Sequence, residues 1–427
     1  MAIAGFELAG TYYAHTSNLD IPSLFWATLA LTSLMKAVEQ QNAVHLRSTA
    51  WLIAFAIATK DQAYALFALA VPYAIAALCI DAYHTKTLRP VLREALRFVF
   101  QTVALVLFLD GAVFNPSGFA ARLRFLTGPA SQDFAAYSRD WAGRFAAFSD
   151  ALAFLPHHYP ALIAPLFVIG IPIAFASRRG MARAAGLIPA MAMVSFTLTF
   201  NCVARRVEER FMLAQMQLLA VYAGGAIAAC LAAVRARPWL RALSVAYAAV
   251  ALALAVRMSA SVVATMLGDA RYDAERFLNE HTRPGDTIET YGLNVYLPRF
   301  PEHAHVERVG PSAAASRNPM PNIIEKEAPL EDVMARKPRF VVVGSGFAWR
   351  FLEDSRATIE GRMTPQSQRA ARSDNGATLY MRALFSDKTE YRVAHIARYA
   401  GSALLPPRPL HASLATDVWI FEKKPDR

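Results

Sequence analysis

YYAHTSNLDIPSLFWATLALTSLMKAV, residues 12–38, sets a polar cluster against a long apolar run. His15, Thr16, Ser17 and Asn18 lead to one acid, Asp20, and the apolar stretch 21–39 begins directly after it. A helix rises about 1.5 Å per residue, so roughly 20 apolar residues cross a bilayer core. The stretch therefore reads as a spanning helix with a carboxylate at its mouth. One explanation of Asp20 is an N-cap. An acid before the first turn accepts backbone N–H bonds and complements the helix dipole, and Pro22 sits near the start as such a cap predicts. The other explanation is a polar site, and the two are compatible.

Further apolar candidates follow at 62–80, 97–114, 161–176, 186–201, 211–234 and 242–266. The stretch 49–59 is about half a span; it ends at Lys60-Asp61-Gln62, after which a second apolar run begins. This pattern predicts a short helix rising to one face, a charged break, and a helix returning. Of the 427 residues 55% are hydrophobic and 18% charged, against about a quarter charged in soluble chains. The apolar residues concentrate in 1–267, and 268–427 has the composition of a soluble domain. The expected fold is an α-helical polytopic membrane domain (1–267, seven to eight spans or half-spans) followed by a small extracytoplasmic α/β domain (268–427). The start, MAIAGFELAG, lacks a basic n-region and a cleavage site and reads as the tail of a helix.

The net charge of +11 is not a nucleic-acid signature, because the basic residues sit in short loops between apolar runs. Loop 81–97 carries Lys86, Arg89, Arg93 and Arg97; loop 177–185 carries Arg178, Arg179 and Arg183; loop 235–241 carries Arg235, Arg237 and Arg241. If the helices alternate, all three fall on one side, which the positive-inside rule makes cytoplasmic. The other face receives Asp20, Lys60-Asp61, segment 115–160, loop 201–210 and the C-terminal region. Segment 115–160 contains FAARLRFLTG and RDWAGRFAAFSDALAFL, aromatic and basic residues at the spacing of helices that lie on a membrane surface. Cys79, Cys202 and Cys230 have no metal-like spacing and read as small packing residues.

In the C-terminal region, YDAERFLNEH reads as a helix stopped by RPGD. TIETYG, PRFVVVGSG, YRVAHIA and DVWIFEKK read as strands, and 310–330 as a linker or long loop. Gly344-Ser345-Gly346 lacks the rest of a dinucleotide fingerprint and reads as a tight turn. His303, His305, His157 and His158 lack supporting ligands and read as surface histidines.

Three charged constellations share the outer face: Asp20 with His15 and Asn18; Lys60 with Asp61; and NCVARRVEERF, with Arg205, Arg206, Glu208, Glu209 and Arg210 before a long apolar helix. Ionisable groups gathered on one face of a membrane bundle mark a polar site. Arginine and lysine suit phosphate, and a carboxylate beside them suits a general base or a divalent cation. The bland alternatives are a solvated turn in which Arg205 and Arg206 pair with Glu208 and Glu209, and a snorkelling Lys60. The substrate suggested is a phospholipid-like molecule with its phosphate at the interface.

AHTSNLDIPSLFW (14–26), ATKDQAYALF (58–67) and RVEERFMLAQMQLLAVYAGGAI (206–227), in this order, resemble the GT-C membrane glycosyltransferases. The nearest group is family 39, which holds the protein O-mannosyltransferases and the lipid A aminoarabinose transferase. TYGLNVYLPRF (290–300) and DVWIFEKK (417–424) are similar to bacterial members. The resemblance implies a polyprenyl-phosphate-linked sugar as donor, the lipid bilayer as milieu, and an acceptor that is protein, lipid or glycan outside the cytoplasm. It also implies residence in a bacterial inner (plasma) membrane. It places Asp20 in the polar cavity near the sugar, Lys60 near the carrier phosphate, and Arg210 at the opening of a late helix, with Arg205 and Arg206 as neighbours. Members of the family carry a principal acid in an earlier loop. The expectation is therefore an N-terminally truncated relative that is weak or inactive as given. The rival expectation is a non-enzymatic polytopic membrane protein, a transporter or scaffold.

Overall fold

The computed structural model describes residues 7–16, 18–128, 137–153, 158–176, 178–205, 207–294, 297–311, 321–348, 351–352, 375–398, 404–405 and 417–425. The chain divides into two compact units, Met1–Ser259 and Ala260–Arg427. The division falls inside a helix, eight residues before the compositional break at 267/268.

The first unit is helical. In chain order it holds α1 (Leu8–Ala14), α2 (Asp20–Glu39), α3 (His45–Thr59), α4 (Tyr64–His84), α5 (Leu88–Leu109), α6 (Pro116–Thr127), α7 (Trp141–Ala153), α8 (Ala164–Ala176), α9 (Gly180–Phe196), α10 (Leu213–Ala233) and the start of α11 (Pro238–Leu267). α9 continues through a π-helical segment, Thr197–Asn201, into Cys202–Ala204. Among the described residues, five helices are long and apolar enough to cross a membrane: Asp20–Glu39, Asp61–His84, Gly180–Ala204, Glu209–Ala233 and Pro238–His281.

Two expected spans differ. The helix expected at 97–114 is α5, which starts at Leu88 and takes Arg89, Arg93, Glu94 and Arg97 into its first half. Glu94 ties it to α3 through two bonds from Arg47, at 2.7 and 2.8 Å. A charged turn can be helical as readily as an apolar one, so apolarity misplaced its start. The span expected at 161–176 is a 3-10 turn, Ala161–Ile163, followed by only 13 helical residues.

Side-chain contacts order the helix ends. Ser23 near the start of α2 donates to the Ala56 carbonyl near the end of α3, at 3.0 Å. At the other end, Ser33 and Ser48 lie 2.9 Å apart. Tyr64, opening α4, reaches Thr199 beyond the end of α9, and Tyr73 reaches Ala184 near its start. The pairs α2/α3 and α4/α9 thus run antiparallel, as alternating spans require. Asp20, Lys60, Tyr64 and the segment after Thr199 gather at one end of the bundle. The basic turns at 85–89 and 178–183 gather at the other.

Both helices expected in segment 115–160 are present. Asn115 caps α6 by accepting from Gly118 N, with Pro116 at the first position. α7 buries Gly143, Ala147 and Ala151 and exposes Trp141, Phe145, Phe148 and Leu152, so its buried face is made of small residues and its aromatic rings point outward.

The second unit carries one six-stranded sheet in the order β3-β2-β1-β4-β6-β5. Its strands are β1 (Thr287–Tyr291), β2 (His305–Gly310), β3 (Ile324–Glu327), β4 (Phe340–Gly344), β5 (Tyr391–Ala397) and β6 (Val418–Lys423). β1, β2, β3 and β4 are mutually parallel; β6 runs antiparallel to both β4 and β5. β4, FVVVG, is buried throughout because both faces are covered. Phe340 and Val342 meet α12 (Ala270–His281) through Ala274 and Leu278. Val341 and Val343 meet α13 (Gly376–Phe385) through Met381 and Leu384.

The second unit corrects two expectations. β3 lies inside 310–330, read as a linker; residues 312–320 lie outside the described residues. Gly344-Ser345-Gly346 opens a helical turn, Ser345–Ala348, rather than a simple tight turn. Phe347 of that turn presses on Gly292, whose φ of 92° and close approach leave no room for a Cβ.

Candidate functional site

Asp20 is the first residue of α2, not its cap. The preceding residue, Leu19, has helical backbone angles and makes no side-chain cap bond. Asn18 does local work, its Oδ1 accepting from Asp20 N at 2.9 Å. The Asp20 side chain is thereby free for tertiary contacts, and it is buried. Its Oδ1 accepts from both the Lys60 ammonium and Gln62 Nε2, the latter at 2.9 Å. Its Oδ2 is buried and has no hydrogen-bond partner among the described residues. A buried carboxylate persists when paired in this way.

The break between α3 and α4 supplies these partners. Lys60 ends α3 in an extended conformation, and Asp61–Ala63 form a 3-10 turn into α4. This turns the Lys60 and Gln62 side chains toward Asp20. Lys60 lies outside the apolar spans. Burial pulls its ammonium below the ordinary lysine value, and the Asp20 carboxylate opposes that pull.

Arg210 completes the cleft. It sits in the 3-10 turn Glu209–Met212 that starts α10, with its Nε 2.5 Å from Glu208 and its guanidinium over the Phe211 ring. One small cleft of about 30 Å³ is lined by Asp20, Ser23, Lys60, Gln62, Phe196 and Arg210, among others. Helices α2, α4, α9 and α10 contribute, together with the α3–α4 break. Behind Arg210, Gln215 bonds Asn201 at 2.8 Å and Asn201 bonds the Phe211 carbonyl at 3.2 Å, which fixes the turn.

The other expected site residues are elsewhere. Asp61 turns away from the cleft and takes Arg122 of α6 at 2.6 Å; the same guanidinium reaches Asp110 at 3.2 Å. His15 is exposed and bonds the Thr11 carbonyl at 2.7 Å. Arg205 adopts a left-handed backbone conformation, φ 51°, and bonds the Tyr137 carbonyl at 3.3 Å. Arg206 lies outside the described residues. Of the eight residues read from the sequence, the cleft therefore gathers Asp20, Lys60 and Arg210.

Gln62 was absent from that set, although it stood beside Lys60-Asp61 in the same polar break. A second buried pair was also missed. His158, expected at the surface, is fully buried and its Nδ1 meets Glu7. Glu7 also caps α1, accepting from Ala9 N at 3.1 Å and from Gly10 N. Nothing in the local pattern links two residues 151 positions apart. His157 lies outside the described residues. In the second unit, His303 bonds the Thr282 carbonyl at 2.9 Å, and His305 faces Glu307 at 3.5 Å. No group of three or more His, Cys, Asp or Glu residues positioned to hold a metal occurs among the described residues.

Compared with known proteins, the chain matches no family model and no curated protein significantly.

Proposed function

We propose that this protein is a membrane glycosyltransferase of the GT-C type, which moves a sugar from a polyprenyl-phosphate carrier to an extracytoplasmic acceptor. One observation carries the reading: a buried carboxylate, Asp20, shares a cleft with two cations, Lys60 and Arg210, at the ends of helices long enough to span a bilayer. The reaction needs those charges. The acceptor oxygen attacks the anomeric carbon in line, and the bond from that carbon to the phosphate oxygen breaks. Both electrons leave with the polyprenyl phosphate. Asp20 Oδ2 takes the acceptor proton, and Lys60 and Arg210 meet the phosphate charge. A divalent cation in the cleft would have Asp20 as its carboxylate ligand; the chain's own cations supply the positive charge in the scheme above. The bacterial inner membrane, with the second unit outside the cytoplasm, is the compartment this reading requires.

The test is transfer from a radiolabelled polyprenyl-phosphate sugar in membranes containing the protein. Asp20→Asn should lower turnover by about 10²-fold or more, and Lys60→Ala should lower it as well. Normal turnover in both variants would overturn the site. A second reading, a structural lock in a non-enzymatic scaffold, is favoured by the engagement of Asp20 Oδ1 within the fold. It predicts no transfer by the wild type.

A further inference from the structure

At the opposite end of the first unit from the charged cleft, the turn between α10 and α11 forms an open groove of about 480 Å³. It is lined by Arg235, Pro238, Arg241, Ala242, Val245 and Ala246. The lining has two chemistries in series. The arginines stand at the turn, and the small apolar residues continue along α11. Pro238, Ala242 and Val245 follow helical spacing, as do Ala242 and Ala246, so they form one strip about 12 Å long.

The sequence has no acid between Glu209 and Asp269. Arg235, Arg237 and Arg241 make no ion pair among the described residues. Trp239, beside them, is 67% exposed, as is suited to the boundary between headgroups and acyl chains. Guanidinium groups above an exposed apolar strip match a molecule with an anionic head and a hydrocarbon tail.

We propose that this groove binds one anionic glycerophospholipid. Arg235 and Arg241 hold its phosphate, and an acyl chain lies along Ala242, Val245 and Ala246. The site is separate from the sugar-transfer cleft. It rests on the membrane-spanning reading of α11, which is tested independently by whether the protein resists alkaline carbonate extraction from membranes.

The experiment is native mass spectrometry of the full chain in detergent, titrated with phosphatidylglycerol, phosphatidylcholine or inorganic phosphate. The expected result is one phosphatidylglycerol retained in preference to phosphatidylcholine. Arg235→Ala/Arg241→Ala should weaken that binding roughly 30-fold, since each basic residue contributes about fivefold at an anionic surface. Ala246→Trp keeps both arginines and fills the strip, and should weaken it too. Brominated phosphatidylglycerol should quench wild-type fluorescence more than that of Trp239→Phe, an arm that does not depend on the arginine variants folding. Equal retention of the two lipids, unchanged binding in either groove variant, or full displacement by inorganic phosphate overturns the proposal.

Discussion

Lys60 and Asp20 show how one buried pair constrains its partners. The Asp20 side chain is 4% exposed and the Lys60 side chain 22%. Removing either charge alone strands the other in a low-dielectric site, whereas removing both does not. Lys60→Ala should therefore cost about 3 kcal/mol of stability, read as a fall in thermal midpoint in detergent. Lys60→Met with Asp20→Asn should recover most of that loss. A double variant no more stable than Lys60→Ala would show that packing, not charge, dominates here.

Helix α6 is held to the bundle by Arg122, which bridges Asp61 and Asp110. Arg122 and Asp61 are each 35% exposed, so the pair contributes about 1 kcal/mol and its effect is local. Arg122→Ala should speed backbone hydrogen exchange across 116–127 while leaving α2 and α4 unchanged. Equal acceleration in all three would mean that Arg122 supports the whole bundle. Legibility in the sequence also differs element by element. α2, α4, α9 and α10 were visible because long apolar runs dictate both their type and their place. β2 and β3, HVERVG and IEKE, were hidden because their charges look like a loop. In the sheet those charges pair, Arg308 with Glu325 and Lys326 with Glu307, and so tolerate strand positions. The cleft was half legible. A charged break between two apolar runs announces a polar site, but only the turn at Lys60 decides that Gln62 faces Asp20 and Asp61 faces Arg122.

Across the whole molecule, the two units should respond to different stresses. In the second unit, burial pushes the Tyr291, Tyr380 and Tyr391 hydroxyls above the usual phenol value of about 10. The folded state thus keeps its phenols neutral when the unfolded state would ionise them. The associated stability is fully present below about pH 10 and is lost as pH rises beyond it. An alkaline titration of the full chain should show the last part of the tyrosinate absorbance appearing late and together with loss of strand circular dichroism. Complete tyrosinate absorbance with the sheet intact would contradict the burial argument. On the orientation proposed from the basic turns, a reporter fused after Arg427 should be active only outside the cytoplasm. The Glu7–His158 pair has a consequence in time. Ribosomes add about 5–20 residues per second, so the Glu7 carboxylate is made roughly 8–30 s before the imidazole that meets it. Through that interval α1 has its cap but not this buried partner, which is synthesised 151 positions later.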